Sequence, residues 1–158
     1  MTPRTVKCVI CQIKEKRTPS FITIVFGFSD KKLPRTYEKY AKMSELVWGI
    51  KNGDIDQVKD IIENKKIDVN APIDGRVPLH YAADYGQTVV LNYLLDKGAD
   101  PNALDKHGIS VLLAAIWEGH TDCVKTLLKN GASKNGKTPD GTPYIEAAEK
   151  EEIKELLT

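Results

Sequence analysis

Cysteine is scarce in this chain, with three residues among 158. Cys8 and Cys11 form a lone C-x-x-C, and Cys123 stands far from both. A disulfide framework or a structural zinc site needs further partners at framework spacing, and neither a second pair nor a nearby histidine follows Cys8 and Cys11. Dithiol, metal and disulfide chemistry are therefore not expected, and so few cysteines point to a reducing compartment, the cytoplasm. The chain also lacks any run of about eighteen apolar residues, the length a membrane helix needs. Phe21 to Phe28 is the one apolar run in the first 42 residues, long enough for a strand, and no small-residue cleavage site follows it as a secretory signal would require.

Catalytic patterns are missing as well. No P-loop, G-x-S-x-G elbow or dinucleotide fingerprint occurs. The three histidines, His80, His107 and His120, lie in no Cys, Asp or Glu cluster at ligand spacing. The expectation is a non-enzyme without cofactor or metal.

What the chain does have is glycine on a fixed ruler. Gly53, Gly86 and Gly119 stand 33 residues apart, as do Gly75, Gly108 and Gly141, and Gly98 and Gly131. A period in the low thirties marks stacked supersecondary units that share one continuous core. In the same phase Pro78 fits the first turn of a helix, where its missing N–H has no partner to lose. Ala82, Ala83, Ala114 and Ala115 allow two helices to approach closely. Val90, Leu91, Leu94 and Leu95, then Cys123, Val124, Leu127 and Leu128, form the apolar stripe of a second helix.

Four units follow, at about 43–72, 73–105, 106–138 and 139–158, with a first helix expected from Ser44 to Asn52. Both end units are irregular, as terminal repeats facing water must be. In the first unit the spacing slips by one, since Asn70 to Asn102 is 32 residues. Residues 1–42 show no such register and read as a disordered extension, or as an upstream stretch wrongly joined, with Met43 a candidate start of translation. That segment carries 10 Lys/Arg against 3 Asp/Glu, net +7, whereas residues 43–158 carry 13 against 19, net −6. An acidic repeat domain favours basic protein surfaces and gives no reason to expect nucleic acid.

The stretch Pro78-Leu79-His80 with Ala82-Ala83, then Leu94-Leu95 and Gly98-Ala99-Asp100, resembles the ankyrin repeat. The resemblance implies an all-α solenoid of helix-turn-helix units with short β-turn fingers. It also implies that His80 and His120 serve hydrogen bonds within and between units. Val47-Trp48 with Lys51 to Asp54, Tyr81-Ala82-Ala83-Asp84, Asp105-Lys106-His107 and Glu118-Gly119-His120 with Cys123 to Lys125 are similar to a small four-unit branch of the family. The extension before Met43, Lys65-Lys66, and Val111 in place of a helix-starting proline depart from it.

Function in such a stack is expected on the concave face made by the fingers and first helices. The candidate partner-binding residues are Trp48, Asn52, Asp74, Arg76, Asp84, Tyr85, Lys106, His107, Trp117 and Glu118. Tyr85 and Trp117 are large aromatics at solvent-facing positions beside charges, the composition of binding hot spots, and they equally suit packing across neighbouring helices. Trp48 falls in phase with Tyr81 and Ala114, an inward-leaning position that no preceding unit covers. The branch resemblance implies a monomer that binds the heterodimeric actin capping protein and inhibits barbed-end capping. It also implies a link to Rel-family transcription factors and a nuclear pool. The alternative is a general adaptor with an unrelated protein client.

Overall fold

The computed structural model of the protein describes residues 35–158, with side chains from residue 40 onward. Cys8, Cys11 and the run Phe21 to Phe28 lie outside the described residues. The chain divides into two units, 1–41 and 42–158, and the second holds the repeats.

Eight helices occur among the described residues, and they come in pairs. Helices α1 (Arg35–Asn52) and α2 (Ile55–Asn64) form the first pair, α3 (Pro78–Asp84) and α4 (Thr88–Asp96) the second. The third pair is α5 (Val111–Trp117) and α6 (Thr121–Lys129), and the last is α7 (Tyr144–Ala147) and α8 (Glu151–Leu157). Among these residues β structure is confined to single antiparallel bridges, Ile73 to Arg76, Leu104 to Ser110 and Lys137 to Pro143, which pin the expected fingers. Helices α3, α5 and α7 pack in one row and α2, α4, α6 and α8 in another, with the second, third and fourth pairs closed between rows. The stacked units read from the glycine period, and the all-α solenoid that the ankyrin resemblance implies, are the observed architecture.

Inner helix α3 stops where the sequence demands. Gly86 follows the α3 cap residue Tyr85 at φ +65°, a left-handed conformation that costs little only without a Cβ. The same position is a close approach, because a Cβ there would lie 2.7 Å from the imidazole of His120. The inner row is lined by buried Ala82, Ala83, Ala114 and Ala115. The outer helices bury Val58, Ile61 and Ile62, then Val90, Leu91 and Leu94, then Cys123, Val124 and Leu127. Leu95 and Leu128, expected in the same stripe, are only partly buried, because the fifth position along a 3.6-residue turn swings toward the edge of the seam.

Two departures from the sequence reading have local causes. Helix α1 opens at Arg35 rather than Ser44. The intervening residues contain neither glycine nor proline, so a helix once nucleated propagates through them. Met43, expected just ahead of the helix, is inside it and buried. At the slipped spacing, Lys66 stands in register with Gly98 and takes φ +49°, the left-handed conformation that Gly98 adopts at φ +88°.

Asparagines tie the units together along the loops. Asn70 donates to the Gly98 carbonyl at 2.9 Å and accepts the Asp100 N–H at 3.0 Å. Asn102 repeats both bonds with Gly131 and Ser133 at 3.1 and 2.9 Å.

The last unit shows a matched change of size. Val111 N–H bonds to the Ala103 carbonyl, and one period later Tyr144 N–H bonds to the Gly136 carbonyl. The larger Tyr144 ring leaves no room at its partner: a Cβ on Gly136 would lie 2.3 Å from the ring carbons. That ring is buried and its hydroxyl shares a 2.8 Å hydrogen bond with Ser110 Oγ, so it has little freedom to yield. Gly136→Ala is expected to lower stability by about 1 to 3 kcal/mol through overpacking, measured by urea unfolding. Gly136→Ala combined with Tyr144→Val, which restores the third unit's pair, should recover much of that loss.

Candidate functional site

The fingers and inner helices of the second and third units enclose a groove of about 470 Å³. Seven of the ten sequence-derived candidates line it: Asp74, Arg76, Asp84, Lys106, His107, Trp117 and Glu118. Tyr81, Asp105, Ile109 and Ala114 complete the wall.

An ionic network forms the floor. Arg76 Nη1 lies 2.5 Å from Asp84 Oδ2, and its Nε lies 3.8 Å from Asp105 Oδ2. The guanidinium sits 5.4 Å from the Tyr81 ring centroid, and the Tyr81 hydroxyl donates to the Ile73 carbonyl at 2.9 Å. Asp105 Oδ1 accepts the N–H groups of His107 and Ile109 at 2.8 and 3.0 Å, which folds the third finger over its own carboxylate. Burial pushes the Asp105 carboxyl up, but the backbone donors of Ile109 and His107 with the charges of His80 and Arg76 bring it below its ordinary value. Lys106 joins the fingers: its N–H donates to the Gly75 carbonyl at 2.9 Å, and its stem lies across Gly75. Asp74 turns that second finger at φ +54°.

The remaining three candidates lie outside the groove lining. Tyr85 is 48% exposed, with Lys51 Nζ 4.9 Å from its ring centroid, a cation–π distance. Trp48 is 46% exposed. Its counterpart Tyr81 is covered by Arg76 and Lys51, whereas the first unit has no finger to cover Trp48 among the described residues. Asn52 turns its amide back on α1 and donates to the Trp48 carbonyl at 2.7 Å. Trp117, the last residue of α5, is 47% exposed at the groove wall.

The histidines behave as the repeat requires. His120 Nε2 lies 3.0 Å from the Asp84 carbonyl, and His80 Nε2 lies 3.0 Å from the Ile109 carbonyl, each joining two units. His80 is fully buried, and its Nδ1 has no hydrogen-bond partner in the structure. Ser110 caps α5 by accepting the Leu113 N–H at 3.1 Å, whereas Val77, one period earlier at the head of α3, has no hydroxyl to offer. Val77→Thr is expected to raise stability by about 0.5 to 2 kcal/mol, by capping α3 and giving Nδ1 a donor, as read by denaturant unfolding.

Burial also pushes the His80 imidazole below its ordinary value. Below about pH 6.5 the unfolded chain binds a proton that the folded imidazole refuses, so this residue makes stability fall as pH drops through that value. The slope is at most about 1.4 kcal/mol per pH unit. Unfolding midpoints measured between about pH 7 and about pH 5 should fall less steeply in His80→Gln than in the parent.

Among the described residues no group of three His, Cys, Asp or Glu side chains is placed to hold a metal ion, and no helix is long and apolar enough to cross a membrane. Cys123 is buried, as its place in the α6 stripe suggests, and burial pushes its thiol up.

The chain matches known proteins throughout this region. The family model described as ankyrin repeats (3 copies) matches residues 46–138. Myotrophin of Xenopus tropicalis is 54% identical over 114 residues, which cover 72% of this chain and 96% of that protein. Rat myotrophin gives the same identity and coverage. A 26S proteasome non-ATPase regulatory subunit 10 from Dictyostelium discoideum is 41% identical over 93 residues, 58% of this chain and 40% of that protein.

Proposed function

From a chain that belongs to the ankyrin-repeat family and is similar to myotrophin over nearly that protein's whole length, we propose a non-catalytic inhibitor of the heterodimeric actin capping protein. One observation carries the reading most: three successive units each leave a large aromatic residue about half exposed in or at the end of the inner helix, Trp48 at 46%, Tyr85 at 48% and Trp117 at 47%. Exposed aromatics among paired charges are the anchors from which protein interfaces draw most of their energy.

Inhibition in this account is stoichiometric and steric. The repeat region, net −6, lays its groove on a basic surface of the capper and masks what that surface offers to the filament end. Opposite charge raises the association rate, and the desolvated rings supply affinity. No proton or group is transferred. The protein acts as a monomer in the cytoplasm, with a nuclear pool if Rel-family factors are second clients.

Elongation of actin filaments from uncapped seeds, in the presence of capping protein preincubated with this protein, tests this. Added protein is expected to restore barbed-end growth in proportion to its ratio to capping protein. Unchanged growth at a large molar excess would refute the reading and leave a general adaptor with another client.

A further inference from the structure

On the 33-residue period, Arg76, Tyr81 and Asp84 of the second unit fall on Ile109, Ala114 and Trp117 of the third. In the second unit these side chains occupy their own space, with the Arg76 guanidinium on the Tyr81 ring and paired to Asp84. In the third unit Ile109 and Ala114 are too short to do so. The vacated volume is the middle of the groove, walled by Ile109, Ala114 and Trp117 on one side and by the charged trio of the second unit on the other. Four carboxylates border it, Asp74, Asp84, Asp105 and Glu118, against two cations, Arg76 and Lys106. Arg76 is already engaged by Asp84 and Asp105, and the Lys106 stem lies over Gly75.

We propose that this space is a socket for one arginine side chain of the protein partner. The stem lies against Ile109 and Ala114, and the guanidinium stacks on the Trp117 indole within reach of Glu118 and the rim of Asp84. The chain supplies the precedent one unit away, where its own Arg76 lies over Tyr81 between two carboxylates. A guanidinium suits the site better than an ammonium, because it is planar, stacks on aromatic faces and is more weakly hydrated. The socket rests on the reading of the groove as the partner surface and adds the side chain that the groove selects.

The test titrates the isotope-labelled full chain with acetyl-Gly-Arg-Gly-amide and with its citrulline counterpart, which keeps the shape and loses the charge. The arginine peptide is expected to shift the Ala114 amide and the Trp117 indole N–H saturably, with the citrulline peptide far weaker. Ala114→Tyr, which fills the socket as Tyr81 fills its own, should abolish the response. Glu118→Gln, at an exposed residue outside the core, should weaken it about two- to fivefold. Equal responses to the two peptides, or none at Ala114 and Trp117, overturn the socket. Capping-protein binding measured on the same samples separates the two claims. Binding to the parent that survives in Ala114→Tyr, with no arginine response, sinks the socket alone, whereas no binding to the parent sinks the groove reading itself.

Discussion

Leu94→Ala lowers the unfolding free energy by about 2 to 5 kcal/mol, the largest loss of stability expected from a single truncation in the outer row. Leu94 is fully buried on α4, the helix that packs against α2, α3 and α6. The removed methyl groups would leave a cavity at the junction of three units, and flanking helices pinned by the Asn70 and Asn102 bonds can collapse only in part. A stack this short has few interfaces over which to spread the damage, since each unit is stabilised only by its neighbours. Guanidinium or urea unfolding measures the effect. A loss below about 1 kcal/mol would mean that the outer row is not a continuous packed seam. Any loss of partner binding in this variant should follow the unfolded fraction alone.

Trp48→Ala should do the opposite. Capping-protein affinity is expected to fall by about 2 to 4 kcal/mol, the hot-spot range, while thermal stability changes little. The separation follows from exposure: Trp48 is 46% exposed, whereas its counterparts Tyr81 and Ala114 are buried. A melting temperature that falls in step with affinity would make Trp48 a packing residue and remove it from the interface.

Much of this was legible in the amino-acid sequence because glycine reports backbone conformation directly. The φ values of Gly53, Gly86 and Gly119 and of Gly75, Gly108 and Gly141 are all positive, so the ruler of 33 residues was a ruler of left-handed turns. Lys66 was harder to see, since lysine at φ +49° leaves no compositional trace and only the slipped count from Asn70 to Asn102 betrays it. The start of α1 was hidden for a different reason. Helix propensity without an amphipathic period or a cap gives no boundary signal, and residues 35–43 have propensity alone. In the groove the missed residues are instructive. Tyr81 and Ala114 sit at an inward phase and read as core, and Asp105, which is buried, is not among the candidates although its neighbours Lys106 and His107 are. The signal that finds them is the change of Arg76, Tyr81 and Asp84 into Ile109, Ala114 and Trp117 along one register, because a vacated volume shows only when neighbouring units are compared position by position.

Direct titration calorimetry of the purified full chain with purified heterodimeric capping protein bears most closely on the central claim. The account predicts a one-to-one complex at low micromolar concentration, weakened by Trp48→Ala and by Trp117→Ala in proteins that melt like the parent. Absence of binding heat and of a co-migrating complex, or affinity untouched by both substitutions, would contradict it.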